Sequence, residues 1–506
     1  MARPFPIPQP APTAGRGAAG GLTLPPLESA LVAVTSLHVC ALPWALGDMH
    51  AWSQCASLGA SLAGFILALL PRAAPAGPAE PPTASLLRFP VFWCGLVLLA
   101  YVAVQGLNPA WRFETDSRSW WLVPIGHVPW LPAGVEGPFA RSNPWRELVV
   151  FGSLWLLLCS LWCGFRRRRS YRILFGALVA GGFLLALLGF AERLTETRRI
   201  FWTYLPSNGS FAASFIYRNH AGAYFNLVAA LSTGMALWHL RRARRRLEGQ
   251  GASVFYGFAA VWAGVMVLIT YSRTSVVLLL VFTVLLAAAL ALRLPGQKGP
   301  LRRRAEFAAL AVALASILGI VLVSLNSEKL WHRFAELAAD PSSSARDRAL
   351  VRRAAGDLRR DRPLLGWGAG CFRYVFPPYA RRYPEIYYSE SGNLRYWEHA
   401  HDDLLEFPAE LGLAGMAPVA VALAWGAARL VRLRFWRHAV ALPAALGCLM
   451  LPVHAWVDFV LQNPAVLVTW AVILAGTLRW MELETPASGL SSHRGSIRGR
   501  PSSSPA

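Results

Sequence analysis

Long apolar runs, broken at intervals by short arginine clusters, set the pattern of this chain. About 20 residues at a rise of 1.5 Å cross a hydrocarbon core of ~30 Å. Runs of that kind predict spans near 28–48, 53–71, 86–107, 146–165, 173–192, 220–240, 253–271, 274–293, 305–325, 408–429, 438–459 and 463–480. The pattern is that of an all-α polytopic membrane protein of about twelve transmembrane helices. It divides into a Pro/Gly/Ala-rich tail over 1–27, nine helices over 28–325, a large loop over 326–407, three helices over 408–480, and a low-complexity basic tail over 481–506. Both tails are expected to be disordered and cytoplasmic, and the N-terminal one lacks the continuous apolar stretch of a signal peptide.

Composition agrees with lipid as the solvent. The chain is 55% hydrophobic and only 15% charged, with a mean hydropathy of +0.40, whereas soluble domains carry about a quarter charged residues. The 49 Lys+Arg against 27 Asp+Glu give a formal +22, which has a topological explanation. "RRRR" at 166–169, "RRARRR" at 241–246, "RRR" at 302–304 and "RLVRLRFWR" at 429–437 all fall on one side of the predicted bilayer. Positive charge concentrates in short cytoplasmic loops, so that side is read as cytoplasmic, and no nucleic-acid partner is expected. The seven cysteines are scattered, six of them inside apolar runs, and read as small buried side chains.

Three stretches face the other way and are longer than connections need be: 108–145, rich in Trp and Pro, 193–219, and the loop 326–407. Long loops outside the membrane tend to carry function. Within the largest, Arg346 to Arg360 reads as a basic amphipathic helix with Leu350, Ala354 and Leu358 on one face. Pro363 ends it, and "GWGAG" then makes a tight glycine turn, without the preceding strand a phosphate-binding loop requires. Aromatics in "RYVFPPYARRYPEIYY" fit loop packing better than a sugar groove.

"YWEHAHDDLLEFPAELGLAG", residues 396–415, carries two histidines and several acids at the mouth of a span. Three readings compete: a metal site from His399, His401 and Asp402, a solvated helix cap from Asp402 and Asp403, and a general base at the membrane surface. Arg273, opening "SRTSVVLLLVF", sits at the lip of a span, where an arginine either anchors by snorkelling or has a task. Arg218 in "YRNHAGAY" contacts a phosphate or caps its span, His220 and His454 suit interhelical polar contacts, and Asp458 suits an intrabundle partner for an arginine.

Taken in order, "YRNHAGAYFNLVAAL", "SRTS", "RDRALVRRAAGDLRRDRPLLGWGAGCF", "HAHDDLLEFPAELGLAG" and "HAWVDFVLQNPA" resemble the O-antigen ligase and polymerase superfamily of bacterial envelopes, over roughly residues 200–480. The resemblance implies a membrane glycosyltransferase of the metal-independent, lipid-phosphate-sugar-using (GT-C-like) fold in the bacterial inner membrane. Such an enzyme moves a glycan from an undecaprenyl-diphosphate carrier to a hydroxyl of a glycan, lipid or protein acceptor at the periplasmic face, with no cofactor. It implies His401, Arg273 and Arg348 as catalytic residues, with Arg218, His399, Asp402 and Asp458 as substrate-binding candidates. Two positions depart from the family pattern: Asp402 follows the histidine where many relatives have Asn, Ser or Gln, and Arg352 stands where many have an aromatic. A repeat-unit polymerase and a protein O-oligosaccharyltransferase would use the same chemistry. A secondary transporter is the alternative of another class, but the expected repeated halves and midplane polar sites are not seen in the sequence.

Overall fold

The computed structural model describes residues 24–71, 81–116, 119–206, 210–247, 249–292, 342–389 and 392–484. Apolar runs become helices where local chemistry starts them. Proline, whose missing N–H costs nothing at a first turn, opens α1 (Pro26–Trp44), α3 (Pro82–Leu87), α4 (Pro90–Leu107), α5 (Pro144–Gly164) and α13 (Pro464–Glu484). Asn143 caps α5 by accepting from the N–H groups of Trp145 and Arg146, satisfying donors that have no partner inside the helix. The other long helices are α2 (Ala51–Leu69), α6 (Arg168–Leu194), α7 (Arg218–Arg246), α8 (Gly251–Ile269), α9 (Arg273–Ala291), α10 (Ser342–Asp361), α11 (Asp403–Arg432) and α12 (Ala441–Ala455). Among the described residues nine helices are long and apolar enough to cross a membrane. The chain is a multi-pass helical membrane protein. The predicted span 305–325 and the arginines at 302–304 lie outside the described residues.

Helix α7 runs through the middle of the bundle. It is buried on every side from Asn219 to Ser232, as a helix that is apolar all round must be. Its small residues let neighbours approach closely, the usual device where lipid offers no hydrophobic drive to pack. A Cβ on Gly222 would run into the Ser275 hydroxyl of α9 and come within 2.7 Å of its Cβ. The helix also carries "RRARRR" on its own last turns, where the sequence suggested a loop.

The basic clusters meet at one end of the bundle. Arg168 and His438 both reach Glu484, at 3.0 and 2.7 Å, and Arg429 and Arg479 both reach Glu482. At the other end, the Trp/Pro-rich stretch folds into a sheet that its sequence did not announce. Strand β1 (Pro109–Thr115) lies between antiparallel β2 (Trp120–Pro124) and parallel β3 (Gly134–Glu136). Helix α10 packs on α11 and on the short turns that follow α10, and those turns meet the sheet through Trp367 and Tyr374; together they form a second core with Val351, Ala354, Leu358, Phe372, Phe376 and Tyr379. Arg362 lies between the rings of Trp111 and Trp367, 4.6 and 4.5 Å from their centroids. The predicted amphipathic face is therefore the docking face of α10, and the aromatics serve loop packing.

The glycine turn has a structural task. Helix α11 is broken at Gly412, whose φ of +64° and ψ of 179° leave helical space. The segment after Pro363 crosses the break and supplies the missing hydrogen bonds. Trp367 and Gly368 donate to the carbonyls of Ala409 and Glu410, at 3.0 and 2.9 Å. Leu413 and Ala414 donate to Pro363 and Leu364, at 2.9 and 3.0 Å. Backbone groups at membrane depth must be satisfied within the protein, and here a loop strand does it. Gln105 of α4, fully buried, pins the same crossing through Ala369 N (3.0 Å) and Glu410 O (3.2 Å). The large loop is thereby fixed to the bundle at the break in α11.

Candidate active site

The residues of "HAHDD" separate into distinct tasks at the head of α11. Asp402 is the helix cap, accepting from Leu405 N at 3.2 Å. Burial raises its carboxyl above the usual range, and the Arg352 guanidinium nearby pulls the other way. Asp403 is fully buried and accepts from Leu461 N at 2.7 Å, tying α11 to the connection between α12 and α13. His399 pairs with buried Glu406 at 2.7 Å, while Glu406 also takes the Ala400 N–H at 2.6 Å and the Gln462 amide at 3.2 Å.

His401 turns away from this group. Its backbone is left-handed, φ +53°, a conformation non-glycine residues adopt at a cost and that collects at functional sites. The turn aims its ring at Asp458, Nδ1 to Oδ1 at 3.2 Å. Asp458 is 1% exposed and His401 20%, so the carboxylate is enclosed and the imidazole reachable. The other Asp458 oxygen accepts from the Asn219 amide and from the Tyr217 hydroxyl, the latter at 3.4 Å. Burial works to raise the Asp458 carboxyl, but the His401 hydrogen bond and the charges of His401, Arg348 and His454 outweigh it. They hold the carboxyl below the usual carboxylate range.

An ionised carboxylate only accepts hydrogen bonds. The His401–Asp458 contact is therefore one in which Nδ1 donates, and whenever the ring is neutral this orientation makes Nε2 the accepting nitrogen. Phe459 holds the assembly in place. Tyr217 and His399 stack on it at 5.0 and 4.6 Å, and His220 and His401 meet it edge-on at 5.1 and 4.8 Å.

Arg348 of α10 reaches the same corner, with Nη1 3.4 Å from the Val457 carbonyl, one residue before Asp458. The structure thus brings Arg348, His401 and Asp458 together. Arg218 and Arg273 are each the first residue of their helix, α7 and α9. On α7, Asn219, Gly222 and Asn226 share one face: Asn219 bonds Asp458, Gly222 packs on Ser275, and Asn226 donates to the Ser275 carbonyl at 3.0 Å. Two residues of helix are about 3 Å of rise, so Arg273 stands level with the first turn of α7 and hence with Asp458. No direct contact links Arg273 to His401 among the described residues. A helix N-terminus carries partial positive charge and favours anions. Two adjacent helices that open on arginine therefore make a place for a strongly anionic ligand.

Among the described residues no group of three or more His, Cys, Asp or Glu is disposed to hold a metal ion. His399, His401 and Asp402 are each turned to a different partner. Beside Asp403 an apolar groove of about 290 Å³ runs down between α4, α5, α11 and α13, past Leu98, Phe151, Trp155, Phe407 and Trp470.

Sequence reasoning named His401, Arg348, Arg273 and Asp458 but passed over Asn219, Tyr217, Phe459 and Glu406. The signal for Asn219 was present as the asparagine between Arg218 and His220. That for Glu406 was an acid one helical turn after Asp402, on a segment already singled out.

The His399–Glu406 pair gives a pH prediction. Burial alone would lower the His399 imidazole, but the Glu406 carboxylate outweighs it and holds the group above its ordinary 6.5. Its stabilising contribution is complete below that value and is lost as pH rises through the raised folded-state value. Thermal midpoints measured from pH 6 to pH 9 should therefore fall more steeply for wild type than for His399→Gln. Parallel profiles would show that the pair does not titrate with folding.

Comparison with known families matches residues 258–420 to the family described as O-antigen ligase. The match takes in most of α8, all of α9 and α10 and the first part of α11, and so includes Arg273, Arg348 and His401. A search of curated proteins returned no match.

Proposed function

We propose, from the premise that this chain is an inner-membrane glycosyltransferase of the O-antigen ligase type, that it transfers a glycan from an undecaprenyl-diphosphate carrier to an acceptor hydroxyl at the periplasmic face. The observation that carries this reading is the His401–Asp458 pair with Arg348 beside it. His401 Nε2 takes the proton of the acceptor hydroxyl, and the oxygen attacks the anomeric carbon. The bond from that carbon to the carrier's diphosphate breaks. The products are the glycosylated acceptor, the carrier diphosphate and a protonated His401, whose new charge Asp458 stabilises.

The leaving diphosphate gathers negative charge, which must be met by cations aimed at it in a water-poor site. Arginine keeps its charge at any working pH and grips two phosphate oxygens at once. Arg348, with Arg273 and Arg218 at the same level, fills that role, aided by the N-termini of α7 and α9. The apolar groove beside Asp403 receives the first isoprene units of the carrier, so the diphosphate stays at headgroup depth. The end carrying the site is opposite the arginine clusters, which supports a periplasmic location.

The test is transfer from a purified lipid-diphosphate-linked glycan in reconstituted vesicles containing EDTA. Arg348→Ala and Arg273→Ala should each lower turnover by about 10²–10³-fold, the loss typical of one electrostatic group at a transition state. Wild type should keep its activity in the chelator. A chelator-sensitive wild type, or arginine variants as active as wild type, would defeat the reading.

A further inference from the structure

The end of the bundle far from His401 holds a cavity of about 350 Å³ that the transfer reaction does not use. It is lined by Arg168, Arg241, Arg242, Arg245, Arg246 and Arg437, with His438 and a single carboxylate, Glu484. That carboxylate is already engaged on one wall by Arg168 at 3.0 Å and His438 at 2.7 Å. Arg241 and Arg245 form an i,i+4 pair of like charge on α7, an arrangement that destabilises a helix. The helix C-terminus offsets part of that cost, and an anion in the cavity would offset more.

Depth and shape indicate which anion. The cavity lies where α6 begins and α7 and α13 end. Trp238 and Trp480 meet edge-to-face at 5.3 Å, with Arg242 5.6 Å over Trp238 and Arg168 5.0 Å over Trp480. Tryptophan collects at headgroup level. This is the arginine-rich end, which the concentration of positive charge assigns to the cytoplasm, where the leaflet is anionic and where basic pockets between helices hold lipid headgroups. Two rows of guanidinium groups offer places for two phosphate groups.

We propose that this cavity is a binding site for an anionic phospholipid headgroup carrying two phosphodiesters, on the cytoplasmic leaflet. The site is separate from the glycan-transfer site and stands whether or not that reading holds.

Purified full-length protein, stripped of lipid, is titrated with cardiolipin and the complex followed by native mass spectrometry, with zwitterionic phosphatidylethanolamine, of zero net charge, as the comparison. Wild type should retain cardiolipin and not phosphatidylethanolamine. The double variant Arg241→Gln/Arg245→Gln should bind cardiolipin about 30-fold more weakly, the loss of two cations at roughly 1 kcal/mol each. Arg437→Gln, on the opposite wall and away from any helix interior, gives a second reading and should weaken binding several-fold. Equal binding by both variants would overturn the proposal. So would displacement of cardiolipin by millimolar inorganic phosphate, which would mark a site for soluble phosphate.

Discussion

Turnover of lipid-linked glycan should fall by about 10²–10⁴-fold in His401→Ala, the contribution of a positioned base, while the protein keeps its fold and its donor. The fold should survive because His401 is partly exposed and sits at a loop end, not inside a core. Asp458→Asn should lower turnover by a comparable order through a different route. The amide cannot stabilise an imidazolium, and it no longer dictates that the Nδ1 nitrogen carries the proton. It leaves the volume of the corner almost unchanged and can still meet Asn219 and Tyr217. Donor binding should therefore hold while turnover drops, a split between KM and kcat that a collapsed corner would not give.

The second large effect is on folding. Gly412→Ala places a Cβ against the Leu364 carbonyl oxygen, 2.5 Å from its carbon and 2.6 Å from Gly366 N. It also forces a side chain into backbone space that is close to glycine-only, at a cost of roughly 1–3 kcal/mol before any clash. The crossing strand cannot move aside, since four backbone hydrogen bonds hold it across the break in α11. The expected result is loss of most folded protein from the membrane, seen as reduced monodisperse yield and a lowered unfolding midpoint. Gly356→Ala on α10 is the comparison: a Cβ there meets nothing within 4 Å, and alanine in a helix interior gains about 0.5–1 kcal/mol over glycine. Equal stability of the two variants would show that the crossing does not hold the loop in place.

These two regions also mark where the sequence could and could not be read. Eleven of the predicted spans coincide with helices, because a run of about 20 apolar residues has few alternatives to a membrane helix. Ends were less legible. Helix α11 starts at Asp403, inside the stretch assigned to the loop, because Asp402 caps it, and α7 continues through its arginines. The three strands were hidden in Trp/Pro-rich sequence: only β1 alternates apolar and polar residues, over Trp111 to Glu114, while β2 and β3 are short and show no such period.

The site shows the same division. His401 and Arg348 stand out by residue type, but the work of Asp458 depends on a contact 57 residues away in sequence. The acids of "HAHDDLLE" look interchangeable in the sequence, yet one caps, one ties two segments together and one pairs with His399. "GWGAG" looks like a phosphate loop or a plain turn, and only the broken helix it mends explains its glycines.

The most direct test of the account is a double-mutant cycle on His401 and Asp458 in single-turnover transfer from the lipid-linked donor. If Asp458 acts through His401, adding Asp458→Asn to His401→Ala should change the rate by less than about twofold, the scatter expected of uncoupled sites. If Asp458→Asn costs as much without the imidazole as with it, the pair is not a catalytic unit and the proposed mechanism is wrong.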